Sequence, residues 1–497
     1  MIKNFILFFY ILLISPYAFS ITNNDIITKN SLSCPRCNII IISLTGLRNK
    51  NMNIYGYGRN TTPNINHFFN DSYIFTNAFA PASFTFTDSI SLFYSISPQI
   101  HKSFNRYSYK WLDKTLKNYP SFPEILARDG YKTAAFVSDE DYFYNQGVGR
   151  TFQYYFDRSL YPDFGITFKP FTYSVGTSQL VPIVNKWLNI HKKEKFLLFM
   201  QAYDMHCPYS PLDKFANLYP GPHSKKIPFT SECLMTLKDV IKNKKKDKIL
   251  LQTLSAFMDS RKVDYYLDRN DQKYLESRYD AELNQTDSNL KALFETIKEL
   301  KLDKNTIIIL LSEHGDNLGE NGFYMKMSPT AKGNLQRNNL GFPLIVKTPS
   351  LNGKHKQDQI IQTIDLAPTL LEMVGLKPDL KMQGKSFMDI VGTKKEINDY
   401  AYSFSIVFDF LKLGLQVKTM NKLESLIGKD WKLDHSIQIE ISKMRPIKEE
   451  YFLYNLNNDP NESMDLSLKN KKKLKEMQQI LSIKRIYYST TNHLNKP

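Results

Sequence analysis

The sequence predicts an α/β fold, and two observations carry that expectation. The first is a pair of short, continuous apolar runs rich in β-branched residues, Asn38-Ile39-Ile40-Ile41-Ile42-Ser43-Leu44 and Ile307-Ile308-Ile309-Leu310-Leu311. Runs of this length without polar alternation read as strands buried on both faces. The second is that apolar strand runs alternate with helical runs along the chain. Both strong strands end in polar residues, Thr45-Gly46-Leu47-Arg48 after the first and Ser312-Glu313-His314-Gly315 after the second. In open α/β sheets ligands bind at the carboxyl ends of strands, so the adjacent carboxylate and imidazole of Glu313-His314 are a candidate site. The alternative is an ordinary polar loop.

The chain opens with Lys3, an apolar run from Phe5 to Ile14, and Ala18-Phe19-Ser20. A basic start, a short apolar core and a small-x-small ending describe a secretory signal peptide over 1–20, cleaved after about Ser20. The run is short for a membrane span, and no later segment is apolar enough to be one. The expectation is an exported protein, secreted or periplasmic, with no transmembrane anchor after cleavage. The 497 residues, 42% hydrophobic, are enough for one large domain plus a small one. The net charge of +16 sits partly in lysine runs such as Lys242–Lys248 and Lys471–Lys475. Such runs are solvated surface or attract anionic glycans, phospholipid heads or sulfated polymers. Export makes nucleic acid the poorer partner. Of the four cysteines, Cys34 and Cys37 suit a local disulfide. They precede a strand instead of opening a helix after one, which argues against redox chemistry. The pairing of Cys207 and Cys233 stays open.

From the first strand the chain runs on through Tyr55-Gly56-Tyr57-Gly58-Arg59-Asn60-Thr61-Thr62-Pro63-Asn64-Ile65, a polar loop entering a helix. Pro81-Ala82-Ser83-Phe84-Thr85-Phe86-Thr87-Asp88-Ser89 precedes the apolar stretch Ile90 to Ile96. Gly130 to Val137 holds a further strand. Tyr203-Asp204-Met205-His206-Cys207-Pro208-Tyr209, the helix-opening Tyr279-Asp280-Ala281-Glu282-Leu283, and Ser312 to Glu320 follow. Then come Lys332-Gly333-Asn334-Leu335, Pro343 to Val346, and Ile364 to Leu370. Leu453-Tyr454-Asn455-Leu456 with Asp459-Pro460-Asn461-Glu462 closes the series. In this order the segments resemble the sulfatase branch of the alkaline phosphatase superfamily over most of the chain.

That resemblance implies a three-layer α/β/α sandwich around a large mixed sheet over 21–392. A small C-terminal α+β domain follows over 393–497. Lys238–Lys273 reads as an insertion or surface helices, and the tail from Asn470 as helical at first. The implied activity is hydrolysis or transfer of a sulfate or phosphate ester at a metal-held nucleophile. A divalent cation lowers the nucleophile's pKa and neutralises the transferring group's oxygens. Thr45 falls where the family's first-strand Asp stands, Glu313 where the Asp of S-D-H-G stands, and His314 matches it. Thr85 falls on the nucleophile position. The formylglycine signature is absent, and its Arg is replaced by Ser89. The implied metal group is Glu313, His314, Thr45 and Asp88, holding Ca, Mg, Mn or Zn weakly. The implied catalytic group is Thr85, His206, Lys332 and His101, facing an anionic ester of a glycan or phospholipid head. The competing readings are Thr85 and Thr87 as helix N-caps with Asp88 in the first turn, His206 as a satisfied loop histidine, and Lys332 as a solvated lysine. Two functions follow: an ester hydrolase or transferase using Thr85, or a sulfatase-fold protein that binds its anion without turnover.

Overall fold

The structure, a computed structural model, describes residues 32–104, 109–138, 142, 147–157, 159–160, 175–207, 209–222, 269–323, 326, 330–408 and 419–490. The predicted leader, Cys233 and most of the lysine-rich stretch from Lys238 lie outside them.

The two apolar runs are the centre of the molecule. Strands β1 (Asn38–Leu44) and β6 (Thr306–Leu311) pair in parallel, Ile39 opposite Ile307 and Ser43 opposite Leu311. On the other side β1 pairs in parallel with β5 (Phe196–Ala202). With β2 (Ser72–Phe79), β3 (Lys132–Val137), β4 (Tyr154–Phe156), β7 (Leu344–Lys347) and β8 (Lys354–Gln362), the sheet runs β4-β3-β5-β1-β6-β7-β2-β8. Its one reversed strand is β7, antiparallel to both β6 and β2. The sheet is therefore mixed, and β1, β3, β5, β6 and β2 all point their carboxyl ends the same way.

Side chains on a strand alternate between faces, and the core divides accordingly. Ile39, Ile41, Leu197, Phe199, Ile307 and Ile309 pack with helices Thr85–Tyr94, Phe122–Arg128 and Leu366–Met373. Ile40, Ile42, Leu198, Met200, Ile308 and Leu310 pack with helices Thr177–His191 and Arg269–Glu299. Helices on both faces of one sheet make the three-layer sandwich. The segment beginning at Tyr279 does not open a helix, as expected, but lies within one that begins at Arg269. Tyr279, Leu283, Leu290 and Phe294 continue its apolar face and explain the length.

Beyond the sandwich stands an antiparallel sheet in the order β12-β11-β10-β9, from Ala401–Phe408, Thr419–Ile427, Trp431–Glu440 and Arg445–Asn455 as β9 to β12. Helix Lys471–Ser489, capped by the Asn470 side chain, buries Met477, Leu481 and Tyr488 against Leu433 and Leu453. Lys432 is buried in this sheet between Asp434 (2.8 Å) and Glu462 (2.6 Å). Cys34 and Cys37 are disulfide-bonded just before β1, and Cys207 is disulfide-bonded as well.

Candidate functional site

The register of β1 and β6 carries past the strand ends, so Thr45 comes level with Glu313. The Thr45 hydroxyl donates to Glu313 Oε2 at 3.0 Å and accepts from Gln201 Nε2 at 2.6 Å. Gln201 comes from the end of β5 and is itself held by the Ser138 N–H (3.0 Å) and hydroxyl (3.1 Å), just past β3. The Tyr142 hydroxyl donates to Glu313 Oε1 at 2.7 Å. Four strand ends thus converge on one buried carboxylate. Two glycines let the loops close over it. Gly46, at φ +85°, leaves room for the Met205 carbonyl, and a Cβ on Gly315 would overlap the Asn338 and Gly341 carbonyls.

Beside Glu313, the His314 Nδ1 lies 2.7 Å from the Gly315 carbonyl oxygen. That oxygen only accepts, so Nδ1 carries the proton and Nε2 presents its lone pair. Burial, reinforced by the charge on Lys326, holds the imidazole well below its ordinary pKa. The single lone pair of Nε2 is shared between the Thr85 hydroxyl at 3.1 Å and Lys326 Nζ at 2.8 Å, and Lys326 also donates to Thr85 Oγ1 at 3.0 Å. Thr85, His314 and Lys326 form a closed triangle, and all three are buried.

Thr85 starts the helix Thr85–Tyr94, but the cap position belongs to Phe84 and no side chain caps it. Asp88 braces the approach by accepting the Ala82 N–H at 2.9 Å. Among the described residues its other oxygen has no hydrogen-bond partner. Burial and the nearby Glu313 push its pKa well above the carboxylate range. Asp316 is pushed up to about 6 by burial. Arg48 forms a buried ion pair with Glu320, which ties the loop after β1 to the loop after β6.

The other expected residues fall as follows. His206 is half-buried, stacked on Tyr203 at 4.3 Å, with Nδ1 2.7 Å from the Cys207 carbonyl oxygen, and its charge bears on His314. His101 is in the core. Its Nε2 meets Ser91 at 3.0 Å, its Nδ1 meets Ser103, and burial lowers its pKa to about 3. Lys332 is exposed, with its ammonium 4.8 Å over the Phe452 ring. The lysine that meets Thr85 is Lys326, six residues earlier. Sequence reading passed it over, as it did Gln201 and Tyr142. Gln201 carried a signal, a lone amide at the end of the apolar run Phe196–Ala202; Lys326 and Tyr142 carried none.

A family model for sulfatases matches residues 37–376, and a second, for the C-terminal part of N-sulphoglucosamine sulphohydrolase, matches 319–487. The chain belongs to the sulfatase family. This sulfatase-family chain is 25% identical over 221 residues to a sulfatase of Formosa agariphila, a match spanning 44% of the chain but only 40% of that relative. The fold is shared with a structure solved with its substrate D-glucosamine-2-N,6-O-disulfate (TM-score 0.66, 17% identity, 93% of this chain and 100% of that one). It is shared equally with the phosphonate monoester hydrolase of Agrobacterium radiobacter (TM-score 0.67, 15% identity, 91% and 96%).

Sulfatase-family enzymes generally use a divalent metal. A hard divalent cation wants roughly 6 to 8 oxygen ligands with carboxylates among them. Here Thr45 is neutral, both Glu313 oxygens are engaged by hydroxyl donors, and Asp88 gives one oxygen to the Ala82 amide, which leaves its second oxygen as the one open carboxylate donor of the group. Among the described residues, no group of three or more His, Cys, Asp and Glu could hold a metal ion. The donor set does not fit a divalent metal.

Proposed function

We propose that this sulfatase-family chain takes the sulfate or phosphate ester of an anionic glycan or phospholipid head and hydrolyses or transfers it, with Thr85 as nucleophile. The observation that carries this reading is the hydroxyl of Thr85 against the His314 Nε2 lone pair, with the imidazole oriented by the Gly315 carbonyl. A nucleophile, a base within hydrogen-bond reach and a group that orients the base are what covalent catalysis requires. In the first step the Thr85 oxygen bonds to sulfur or phosphorus, its proton passes to Nε2, and the bond to the ester alcohol breaks, the alcohol taking a proton from solvent. Water or an acceptor alcohol then bonds to the sulfur or phosphorus and gives a proton to solvent, while Thr85 Oγ1 leaves and takes back the proton held on Nε2. Lys326 offers positive charge to the group's oxygens as negative charge builds on them. The glycan class is suggested by the disulfated glucosamine bound to one structural neighbour.

A second reading is binding without turnover. It is favoured by Ser89, which stands where the family carries an arginine and whose hydroxyl is spent on the Phe86 carbonyl at 2.9 Å. The tripartite leader supports export to the periplasm or medium, and among the described residues no helix is long and apolar enough to cross a membrane. Purified protein assayed against aryl sulfates, aryl phosphates, phosphodiesters and sulfated glycan fragments decides between the readings. The expected result is release of product that Thr85→Ala abolishes. Binding of these esters with no release by the unmodified protein assigns the second reading instead. Intact-mass measurement from the native host, expected to show loss of about 20 residues, tests the leader.

A further inference from the structure

The residues at the metal positions do not suit a metal, yet the pocket is not without positive charge. The Lys326 ammonium lies 2.8 Å from His314 Nε2 and 3.0 Å from Thr85 Oγ1, between the nucleophile position and a position at which the family holds its cation. It is buried, and its charge acts on Asp88, Asp316 and His314. We propose that Lys326 takes over the task of the divalent ion, so that this chain receives its anionic ester without metal.

Three features of the pocket agree with that exchange. An ammonium brings one charge where a divalent ion brings two, and it needs fewer carboxylates around it. Thr45 in place of a carboxylate is the matching loss of one negative charge. The Thr45 hydroxyl then satisfies the Glu313 oxygen that no metal draws off, and Tyr142 satisfies the other. Lysine also differs from a metal in how it is delivered. It is carried on the chain six residues beyond Glu320, which pairs with Arg48. The charge is thus part of the chain and cannot be exchanged with solvent.

This inference rests on the proposed anion pocket, so its test separates the two. Metal content of the unmodified full chain, measured by elemental mass spectrometry after dialysis, reads the inference alone. So does calorimetric titration with Ca²⁺, Mg²⁺, Mn²⁺ and Zn²⁺. The expected result is no stoichiometric metal and no saturable binding. One tightly held equivalent overturns the inference, whether or not any ester is bound. In parallel, inorganic sulfate and inorganic phosphate serve as probes of the pocket, with and without EDTA. Binding is expected to be unchanged by EDTA and weakened about 10- to 100-fold by Lys326→Met, the cost of losing a charge-assisted contact. Lys326→Arg is expected to recover part of it. Anion binding that needs a metal, or that survives Lys326→Met undiminished in a variant with native circular dichroism, overturns the inference. Failure of both anions to bind, with metal also absent, counts against the proposed function and leaves the metal result standing.

Discussion

Thr45→Asp restores the carboxylate that the pocket lacks, and its cost follows from the geometry. The hydroxyl that now donates to Glu313 Oε2 at 3.0 Å would become an acceptor, leaving two anionic oxygens face to face beside Asp88. Two unit charges about 4 Å apart at an effective dielectric of about 20 repel by about 4 kcal/mol. One of the pair can escape by binding a proton, so the penalty is expected in full above about pH 7 and to shrink in acid. For a domain of several hundred residues the unfolding entropy is near 0.7 kcal/mol per degree, so about 4 kcal/mol lowers Tm by about 6 °C. A divalent ion at 100 times its Kd returns about 2.7 kcal/mol, or about 4 °C. Differential scanning fluorimetry at pH 5 and 8, in EDTA and in excess Ca²⁺ or Mn²⁺, checks each term. The unmodified protein is expected to ignore the ions. A Thr45→Asp variant with unchanged Tm in EDTA at pH 8 would refute the reasoning, because Thr45 could not then face Glu313. Equal ion-induced gains in both proteins would refute it from the other side.

Further outcomes follow from buried groups. Asp287, Asp316 and Asp365 are each pushed up to about 6 from 3.8, chiefly by burial. Between those values each of these groups binds more protons folded than unfolded, so their contribution to stability is greatest in acid and is lost as pH rises from about 4 to 6. Urea midpoints at pH 4.5 and 7 are expected to show that loss, smaller in Asp287→Asn. Lys432→Met leaves Asp434 and Glu462 buried without their cation, and about 3–5 kcal/mol of stability should go, read by chemical denaturation. Tyr142→Phe strips one donor from Glu313 and is expected to cost about 1–3 kcal/mol in the same assay.

The fold was legible because β1 and β6 are short, β-branched runs apolar on both faces, as strands buried in the middle of a sheet are, and because such runs alternate with helical ones. Glu313 and His314 were legible because they stand just past a strand, where short spacing in sequence fixes position, whereas Thr45 and Thr85 came from the resemblance to the sulfatase branch. Lys326 was not legible, since no motif or apolar period in the sequence marks it, whereas Lys332 stands in a segment that resembles the family; the structure puts Lys326 against Thr85 and Lys332 over Phe452. His101, which the resemblance set among the residues facing the anion, meets Ser91 and Ser103 in the core.

Residues before and after Lys326 along the chain, Asn321 and Arg337, are tied to the far end of the chain. Asn321 donates to the Asn461 carbonyl at 2.6 Å, and Glu462 accepts the Arg337 N–H at 3.0 Å while its other oxygen takes Lys432. The turn after the small sheet therefore holds residues on either side of Lys326 along the chain. A fragment ending after the sandwich would retain the strands, the threonines and the histidine, and lose these two ties. Heredity of the site is thus shared between two regions that look independent along the sequence. A change at Glu462, remote from Thr85 by every count of residues, is expected to be felt there as a displaced ammonium.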